Sequence, residues 1–167
     1  RRCCARDNIL ILDLSNYSSL IDQSILVKQL TALLPDPKVL DLLKLYIFNK
    51  VYDNSLIKTL NKGIVQGVPL IAMFANLYLS DLDFKYQKKV SFYIRVGDDL
   101  ALIDPDLDKL KIIALELSQE LRARGLKINQ EKMFVGQAKE NFSFLGYNFS
   151  NGIIGLEPGF IRKLELG

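Results

Sequence analysis

The chain has 167 residues, of which 49% are hydrophobic and 25% are charged, and its formal net charge is +3. This length and apolar content suit one domain with a sizeable core, and the weak positive charge is compatible with a nucleic-acid partner without demonstrating one. Histidine is absent, which excludes histidine metal sites and histidine acid–base catalysis, and the adjacent Cys3 and Cys4 match neither a zinc spacing nor a disulfide framework.

The predicted elements alternate between strands and helices along the chain. Helical spacing of apolar residues predicts helices over 21–33, 39–47, 71–82 and 107–121, and short apolar runs predict strands over 9–14, 92–96 and 100–103. Near the C-terminus, the Asn151-Gly152 dipeptide predicts a hairpin turn between strands over 144–149 and 153–154. Helices packed on one face of a largely antiparallel sheet define an α+β domain, which is the predicted fold class.

Two adjacent carboxylates, Asp98 and Asp99, lie at the turn of a predicted buried hairpin. Burying like charges side by side is costly unless cations neutralise them, and hard divalent ions prefer carboxylate oxygens. Asp13 ends another apolar run of strand length. If the two strands are neighbours, three carboxylates converge on one or two Mg²⁺ ions. The alternative is an ordinary surface turn, where Asp residues are common.

Five segments, taken in order, resemble the palm of a reverse transcriptase. The first is an aspartate that ends a strand (13–22), and the second is a Gln-Gly-x-Pro segment with a downstream Asn (63–79). The third is the Asp-Asp turn (93–99). The last two are a segment with a lysine (126–132) and a primer-grip hairpin (144–147). Tyr93-Ile94-Arg95 precedes the Asp pair, as in many bacterial members, which include group II intron, retron and phage-defence enzymes. The resemblance runs from about Ile9 to the C-terminus and implies a polymerase palm.

The resemblance implies RNA-directed nucleotidyl transfer with two Mg²⁺ ions, for which Mn²⁺ can substitute. Asp13 and Asp98 would hold both ions, with Leu14 as a further ligand. Asp99 would support them from the next position, because neighbours on a strand face opposite sides. Lys132 resembles the family lysine that is suggested to protonate the pyrophosphate leaving group, and the alternative is an exposed loop lysine.

The resemblance also implies contacts with the substrates. The nucleotide-binding positions are Tyr17, Ser18, Gln66, Gly67 and Asn76, and the primer grip is Phe144, Leu145 and Gly146. Ser18 stands where the family normally has an aromatic residue that blocks the ribose 2′-hydroxyl, which predicts weaker discrimination against ribonucleotides. Val96-Gly97 replaces the usual residues before the Asp pair, and Gly-Asp-Asp is more familiar from viral RNA polymerases, so RNA synthesis is a serious alternative.

Residues 1–167 are predicted to form the palm, with 142–167 as the primer-grip hairpin and the start of a connection to a thumb. The expected partners are an RNA template, a DNA or RNA primer, nucleoside triphosphates, and fingers and thumb regions of a longer protein; an oligomer stays open. The longest apolar run, 68–79, is too short to cross a bilayer, so we expect no membrane partner. Because the two cysteines offer no disulfide framework, a reducing cytoplasm is the expected location. Two further alternatives are a polymerase that needs no template and a weakly active palm that serves as a scaffold subunit.

Overall fold

The computed structural model describes residues 7–48, 50–53, 56–60, 62–64, 70–150 and 153–156. Several predicted positions lie outside these described residues, namely Cys3, Cys4, Gln66, Gly67 and the Asn151-Gly152 turn. Within the described part, every helix is too short or too polar to span a membrane.

Ten strands and six helices follow one another along the described residues. The strands are β1 (Asn8–Ser15), β2 (Lys50–Asp53), β3 (Leu56–Thr59), β4 (Phe92–Val96), β5 (Asp99–Asp104), β6 (Lys127–Ile128), β7 (Phe134–Gln137), β8 (Phe142–Phe144), β9 (Tyr147–Ser150) and β10 (Ile153–Leu156). The helices are α1 (Tyr17–Leu20), α2 (Gln23–Leu33), α3 (Pro37–Ile47), α4 (Ile71–Tyr78), α5 (Ser80–Tyr86) and α6 (Leu107–Ala123). This mixture of helices with antiparallel sheets confirms the predicted α+β class.

Strand β1 is the centre of a five-stranded sheet. Its partner on one edge is β5, which in turn pairs with β4, and all of these pairings are antiparallel. The other edge of β1 is shared, because β7 pairs with its first half and β6 with its last two residues. The loop between β6 and β7 therefore lies beside the part of β1 that contains Asp13.

The core lies between this sheet and the helices. Alternate residues of a strand point to opposite faces, and the β1 residues Leu10, Leu12 and Leu14 join the core cluster with α5 and α6. Asp13 therefore belongs to the other face, together with Ile11. That face is bordered by a second sheet of β8, β9 and β10, which Phe142 links to β7 by stacking on Phe134 with ring centroids 5.6 Å apart.

Two predicted elements differ from the structure. The predicted helix over 71–82 is broken at Leu79, where φ of −107° and ψ of 3° depart from helical values, and the Ser80 hydroxyl donates to the Leu77 carbonyl at this break. The predicted strand over 144–149 is also broken. Leu145 and Gly146 have φ angles of 52° and 78°, and this left-handed backbone forms the turn between β8 and β9. The β2–β3 hairpin had no counterpart in the sequence prediction.

Candidate active site

Asp13 and Asp99 are direct partners in the β1–β5 register. Side chains that lie directly opposite each other in an antiparallel pair project to the same face, so the two carboxylates are neighbours. Asp13 is buried, with 8% of its surface exposed. Asp98 precedes β5 in the exposed Gly97-Asp98 turn, and its carbonyl accepts a hydrogen bond from the Leu14 N–H at 3.1 Å. The structure thus brings the three predicted aspartates to one end of the sheet.

The loop between β6 and β7 places two polar side chains on Asp13. The Asn129 side-chain amide donates to Asp13 Oδ2 at 3.1 Å, and the Asn129 backbone N–H donates to the Asp13 carbonyl at 2.8 Å. Lys132 Nζ donates to Asp13 Oδ1 at 3.2 Å, although 64% of the lysine side chain is exposed. Lys132 is therefore a loop lysine that also contacts the site. The role of Asn129 was missed, although it follows directly after the strand-like run Leu126-Lys127-Ile128.

The charges at this end of the sheet are unbalanced. Burial raises the pKa of Asp99 above its ordinary value, and the charges of Asp13 and Asp98 raise it further, whereas Lys132 acts in the opposite direction. The hydrogen bond to Asp13 raises the pKa of Lys132, and the charges of the three aspartates add to this effect. One ammonium group therefore faces three carboxyl groups, and the site attracts further cations.

The donor chemistry of this site fits a hard divalent cation. Carboxylate oxygens from Asp13 and Asp99 share one face, and a cation there would relieve the repulsion that raises the pKa of Asp99. Leu14 is an apolar residue with a buried side chain, so only its backbone could contribute an oxygen. Across the described ranges, no three Asp, Glu, Cys or His side chains are grouped closely enough to hold an ion. A role for Asp98 as a third ligand therefore stays a prediction.

A cleft of about 450 Å³ opens over the two facing carboxylates. Its lining includes Asp13, Asp99 and Lys132, together with the predicted primer-grip residues Phe144, Leu145 and Gly146. The carboxylates of Asp13 and Asp99 and the β8–β9 turn therefore border the same cleft. The structure thus brings Asp13 and Asp99 to one cleft with the predicted primer-grip residues, whereas Asp98 and Leu14 are not among its lining residues.

Tyr17, one of the predicted nucleotide-binding residues that the structure describes, is held by packing and by a hydrogen bond. Its side chain is buried, and its hydroxyl donates to the Ala75 carbonyl on α4. Burial raises the pKa of Tyr17, so this hydroxyl stays protonated. Ser18 is half-buried, and its carbonyl accepts from the Ile64 N–H at 2.9 Å. This contact ties the start of the 63–70 segment to α1, next to the predicted sugar gate.

Asn76 is exposed on α4, and its side-chain oxygen lies 3.3 Å from Arg95 Nη1. Arg95 also contacts Asp83 on α5 and the Gly97 carbonyl in the turn. The contacts of Arg95 with Asn76 and Asp83 were not predicted, because these residues are distant from Arg95 in sequence. In the sequence analysis, Arg95 was named only as part of the Tyr93-Ile94-Arg95 segment.

The fold and the carboxylates at the ends of β1 and β4–β5 together define a polymerase-type palm. The profile of the family "Reverse transcriptase (RNA-dependent DNA polymerase)" matches residues 5–149, and the chain belongs to this family. The predicted family is thereby confirmed, and it is a family of nucleotidyltransferases. None of the curated proteins compared with the chain matches it.

Solved structures with a similar fold include yeast telomerases. Apo telomerase from Candida tropicalis has a TM-score of 0.74 and 15% identity, with 92% of this chain and 33% of that chain covered. A form of the same enzyme truncated from its C-terminal domain has a TM-score of 0.71 and 18% identity, with coverages of 90% and 35%. Telomerase from Candida albicans, in complex with a telomeric RNA fragment, has a TM-score of 0.71 and 17% identity, with coverages of 90% and 31%. The chain therefore spans about a third of the length of these structures.

Proposed function

We propose that this chain is the catalytic palm of an RNA-directed DNA polymerase, which extends a nucleic-acid 3′-hydroxyl with nucleoside triphosphates by a two-metal mechanism. The observation that carries this proposal is the pairing of Asp13 with Asp99, beside Asp98, in a cleft shared with the β8–β9 turn. A purely structural domain gains little from neighbouring carboxylates that repel each other.

The proposed partners are an RNA template and a DNA or RNA primer. Membership of the reverse transcriptase family supports both, and the Candida albicans neighbour was solved with a fragment of telomeric RNA. Because the chain spans about a third of such structures, fingers and thumb regions of a longer protein would complete the binding cleft. The segments at 93–95 and 144–147 favour a bacterial retroelement or phage-defence system as the setting.

Mg²⁺ or Mn²⁺ ions held by Asp13, Asp98, Asp99 and the Leu14 backbone would activate the primer 3′-hydroxyl and stabilise the charge of the leaving pyrophosphate. Within the chain itself, Asn129 fixes the carboxylate of Asp13 by its hydrogen bond to Oδ2. Lys132 stays protonated because its pKa is raised, so its exposed ammonium group carries the proton that the departing pyrophosphate requires. Phe144, Leu145 and Gly146, which line the same cleft, would brace the primer.

One observation favours RNA synthesis as a second candidate function. The buried Tyr17 is held on α4 through its hydroxyl, so it cannot turn to replace the aromatic gate that Ser18 lacks. Ser18 is too short to exclude a 2′-hydroxyl by bulk. A nucleotide bound beside Ser18 would then be accepted with a ribose as well as with a deoxyribose.

The test measures the incorporation of labelled dNTPs or rNTPs by the full-length protein. Reactions contain Mg²⁺ or Mn²⁺ and are run with and without a primed RNA template. The products are then sequenced. We expect incorporation that depends on the template and on the divalent ion. Incorporation without template would support a template-independent polymerase. No incorporation under any of these conditions would refute the proposal and support a scaffold role.

A further inference from the structure

Arg95 is a charged residue that the proposed chemistry does not use, yet its side chain is only 5% exposed. Its guanidinium group forms a bidentate ion pair with Asp83 on α5, with Nε at 2.8 Å from Oδ1 and Nη2 at 2.6 Å from Oδ2. Tyr93, two residues earlier on β4, donates its hydroxyl to the same Asp83 Oδ1 at 2.6 Å. An arginine buried in this way costs free energy unless it is fully paired.

The remaining donors of Arg95 reach two further elements. Nη2 donates to the Asn76 carbonyl on α4 at 3.0 Å, and Nη1 lies 3.3 Å from the Asn76 side-chain oxygen. Nη1 also donates to the Gly97 carbonyl at 3.0 Å. One guanidinium group therefore joins α4, α5 and the turn that carries Asp98.

The Gly97-Asp98 turn is attached from two sides. On the β1 side, the Leu14 N–H donates to the Asp98 carbonyl at 3.1 Å. On the helix side, Arg95 holds the Gly97 carbonyl. Both turn residues are exposed, and a Cβ at Gly97 would meet no atom within 4 Å, so packing does not hold this turn in place.

Arg95 itself is directed away from the facing carboxylates. Val96 is the register partner of Asp99, and Arg95, one residue earlier on β4, points to the opposite face of the sheet. Arg95 therefore lies behind the turn and acts on the site only through the groups that it holds.

We propose that Arg95 is a positioning residue, which sets the Gly97-Asp98 turn and Asn76 relative to each other from behind the sheet. This inference rests on the proposed function, because the turn and Asn76 are taken to hold the metal ions and the nucleotide. Lysine cannot replace this arginine, because a single ammonium group lacks the planar fork that reaches the Asp83 carboxylate and the two carbonyls together.

The test compares Arg95→Lys with Arg124→Lys in the full-length protein. Arg124 is a matched control, since it also pairs with an aspartate of α5, Asp81, and donates to an α4 carbonyl, that of Tyr78, at 3.0 Å. Within the described part of the chain, Arg124 forms no hydrogen bond to the Gly97-Asp98 turn. Both variants keep the charge and lose an arginine fork.

Two readouts separate positioning from general stability. The first is single-turnover incorporation against the concentrations of nucleotide and Mn²⁺. We expect Arg95→Lys to lower the maximal rate or the apparent Mn²⁺ affinity by about 10–100-fold, as is typical for residues that orient metal ligands, and Arg124→Lys to change either by less than about 3-fold. The second readout is hydrogen exchange of the Leu14 amide, which reports its bond to the Asp98 carbonyl without any catalysis. Arg95→Lys should speed this exchange by about 10-fold or more relative to Arg124→Lys.

Equal effects of the two variants on both readouts would overturn the inference. If the wild type incorporates no nucleotide, the proposed function fails, but Leu14 exchange still decides whether Arg95 holds the turn. If Arg95→Lys fails to fold, Asp83→Asn serves as a second variant, because it removes the ion pair that orients the guanidinium group and keeps a hydrogen-bond acceptor. Leu14 exchange that is unchanged in a folded Asp83→Asn protein would also overturn the inference.

Discussion

At the scale of single residues, the site contains neighbouring carboxylates that repel each other. Two further side chains donate hydrogen bonds to one of these carboxylates, that of Asp13. Asp13 faces Asp99 in the register, and Asn129 and Lys132 both donate to Asp13. Such an arrangement costs stability in the absence of cations and gains it when they bind. Substitutions here should therefore affect activity and stability in opposite directions.

We predict that Asp13→Ala, Asp98→Ala and Asp99→Asn each lower nucleotide incorporation by at least about 10³-fold, because each removes a carboxylate that would hold a metal ion. The midpoint of thermal unfolding without divalent ions should stay unchanged or rise in Asp98→Ala and Asp99→Asn, since a like-charge repulsion is removed, whereas Asp13→Ala also loses the hydrogen bonds from Asn129 and Lys132. Asp108→Asn, on an exposed turn of α6, is the control and should keep normal activity. A variant of the three that keeps near-normal incorporation would contradict its assignment.

Lys132→Ala should lower the single-turnover rate by about 10²–10⁴-fold and leave nucleotide affinity nearly unchanged, because a general acid acts in the transition state. Rapid-quench incorporation over a range of nucleotide concentrations separates the two quantities. Lys127→Ala, an exposed lysine on β6, is the matched control. An unchanged rate in Lys132→Ala would leave this residue as a surface lysine only.

We predict that the wild type discriminates only weakly against ribonucleotides, and that Ser18→Phe raises its preference for deoxyribonucleotides. The added ring would supply the bulk that Ser18 lacks, while the buried Tyr17 is held by its hydrogen bond to the Ala75 carbonyl. The measurement is the ratio of kcat/KM for dATP and ATP in both proteins. A strong deoxyribonucleotide preference in the wild type that Ser18→Phe does not alter would show that the gate lies elsewhere.

At the scale of elements, connections between helices and loops determine the surroundings of Ser18. The Gly63 N–H donates to the Ile21 carbonyl at 2.7 Å, and its carbonyl accepts from the buried side chain of Gln23 on α2 at 2.8 Å. Gln23 also donates to the Ile47 carbonyl at the end of α3, at 3.0 Å. A single amide thus holds three segments together behind α1.

Gly63→Ala should lower the free energy of unfolding by about 1–3 kcal/mol. Gly63 has a φ of +80°, and a Cβ there would lie 2.7 Å from the Ser19 carbonyl oxygen, so the substitution strains the backbone and displaces α1. Urea unfolding followed by circular dichroism measures the loss. Gly155→Ala is the control, because a Cβ there meets no atom within 4 Å, and its midpoint should hardly change. Equal midpoints for the two variants would contradict this account.

At the scale of the whole molecule, ion pairs between elements support the packing of helices on the sheet. Asp104, at the end of β5, is 3% exposed and accepts from Lys109 on α6 at 2.7 Å. Burial alone would raise the pKa of Asp104, but the hydrogen bonds from Lys109 and from the Asp106 and Ser91 N–H groups lower it below 3.8. Its stabilising effect is therefore complete above pH 3.8 and is lost as the pH falls through the lowered pKa.

Asp104→Asn should lower the free energy of unfolding at pH 7 by about 1–3 kcal/mol, because a hydrogen-bonded buried charge is lost. The difference from the wild type should shrink as the pH falls below 3.8, where the wild-type carboxyl group becomes protonated as well. Denaturant unfolding between pH 7 and pH 3 measures this. Asp108→Asn, whose side chain is 86% exposed, should differ little from the wild type at any pH. A constant difference for Asp104→Asn across this range would contradict the prediction.

The sequence by itself determined the elements that carry the site and the residues in them. The apolar run before Asp13 and the helical spacing after Asp106 depend on local periodicity, and the structure has β1 and α6 at these places. The order of the five segments was sufficient for the family, which the match over residues 5–149 confirmed.

Only the tertiary structure decided which groups meet. Asp99, rather than Asp98, faces Asp13 because the register of β1 and β5 is set by pairing between distant strands. The β6–β7 loop brings Asn129 and Lys132 to Asp13 because two strands share one edge of β1. Arg95 joins two helices to the Gly97-Asp98 turn through side-chain bonds between segments far apart in sequence. Periodicity reports the environment of a residue along its own element, whereas these contacts depend on how elements pair and pack.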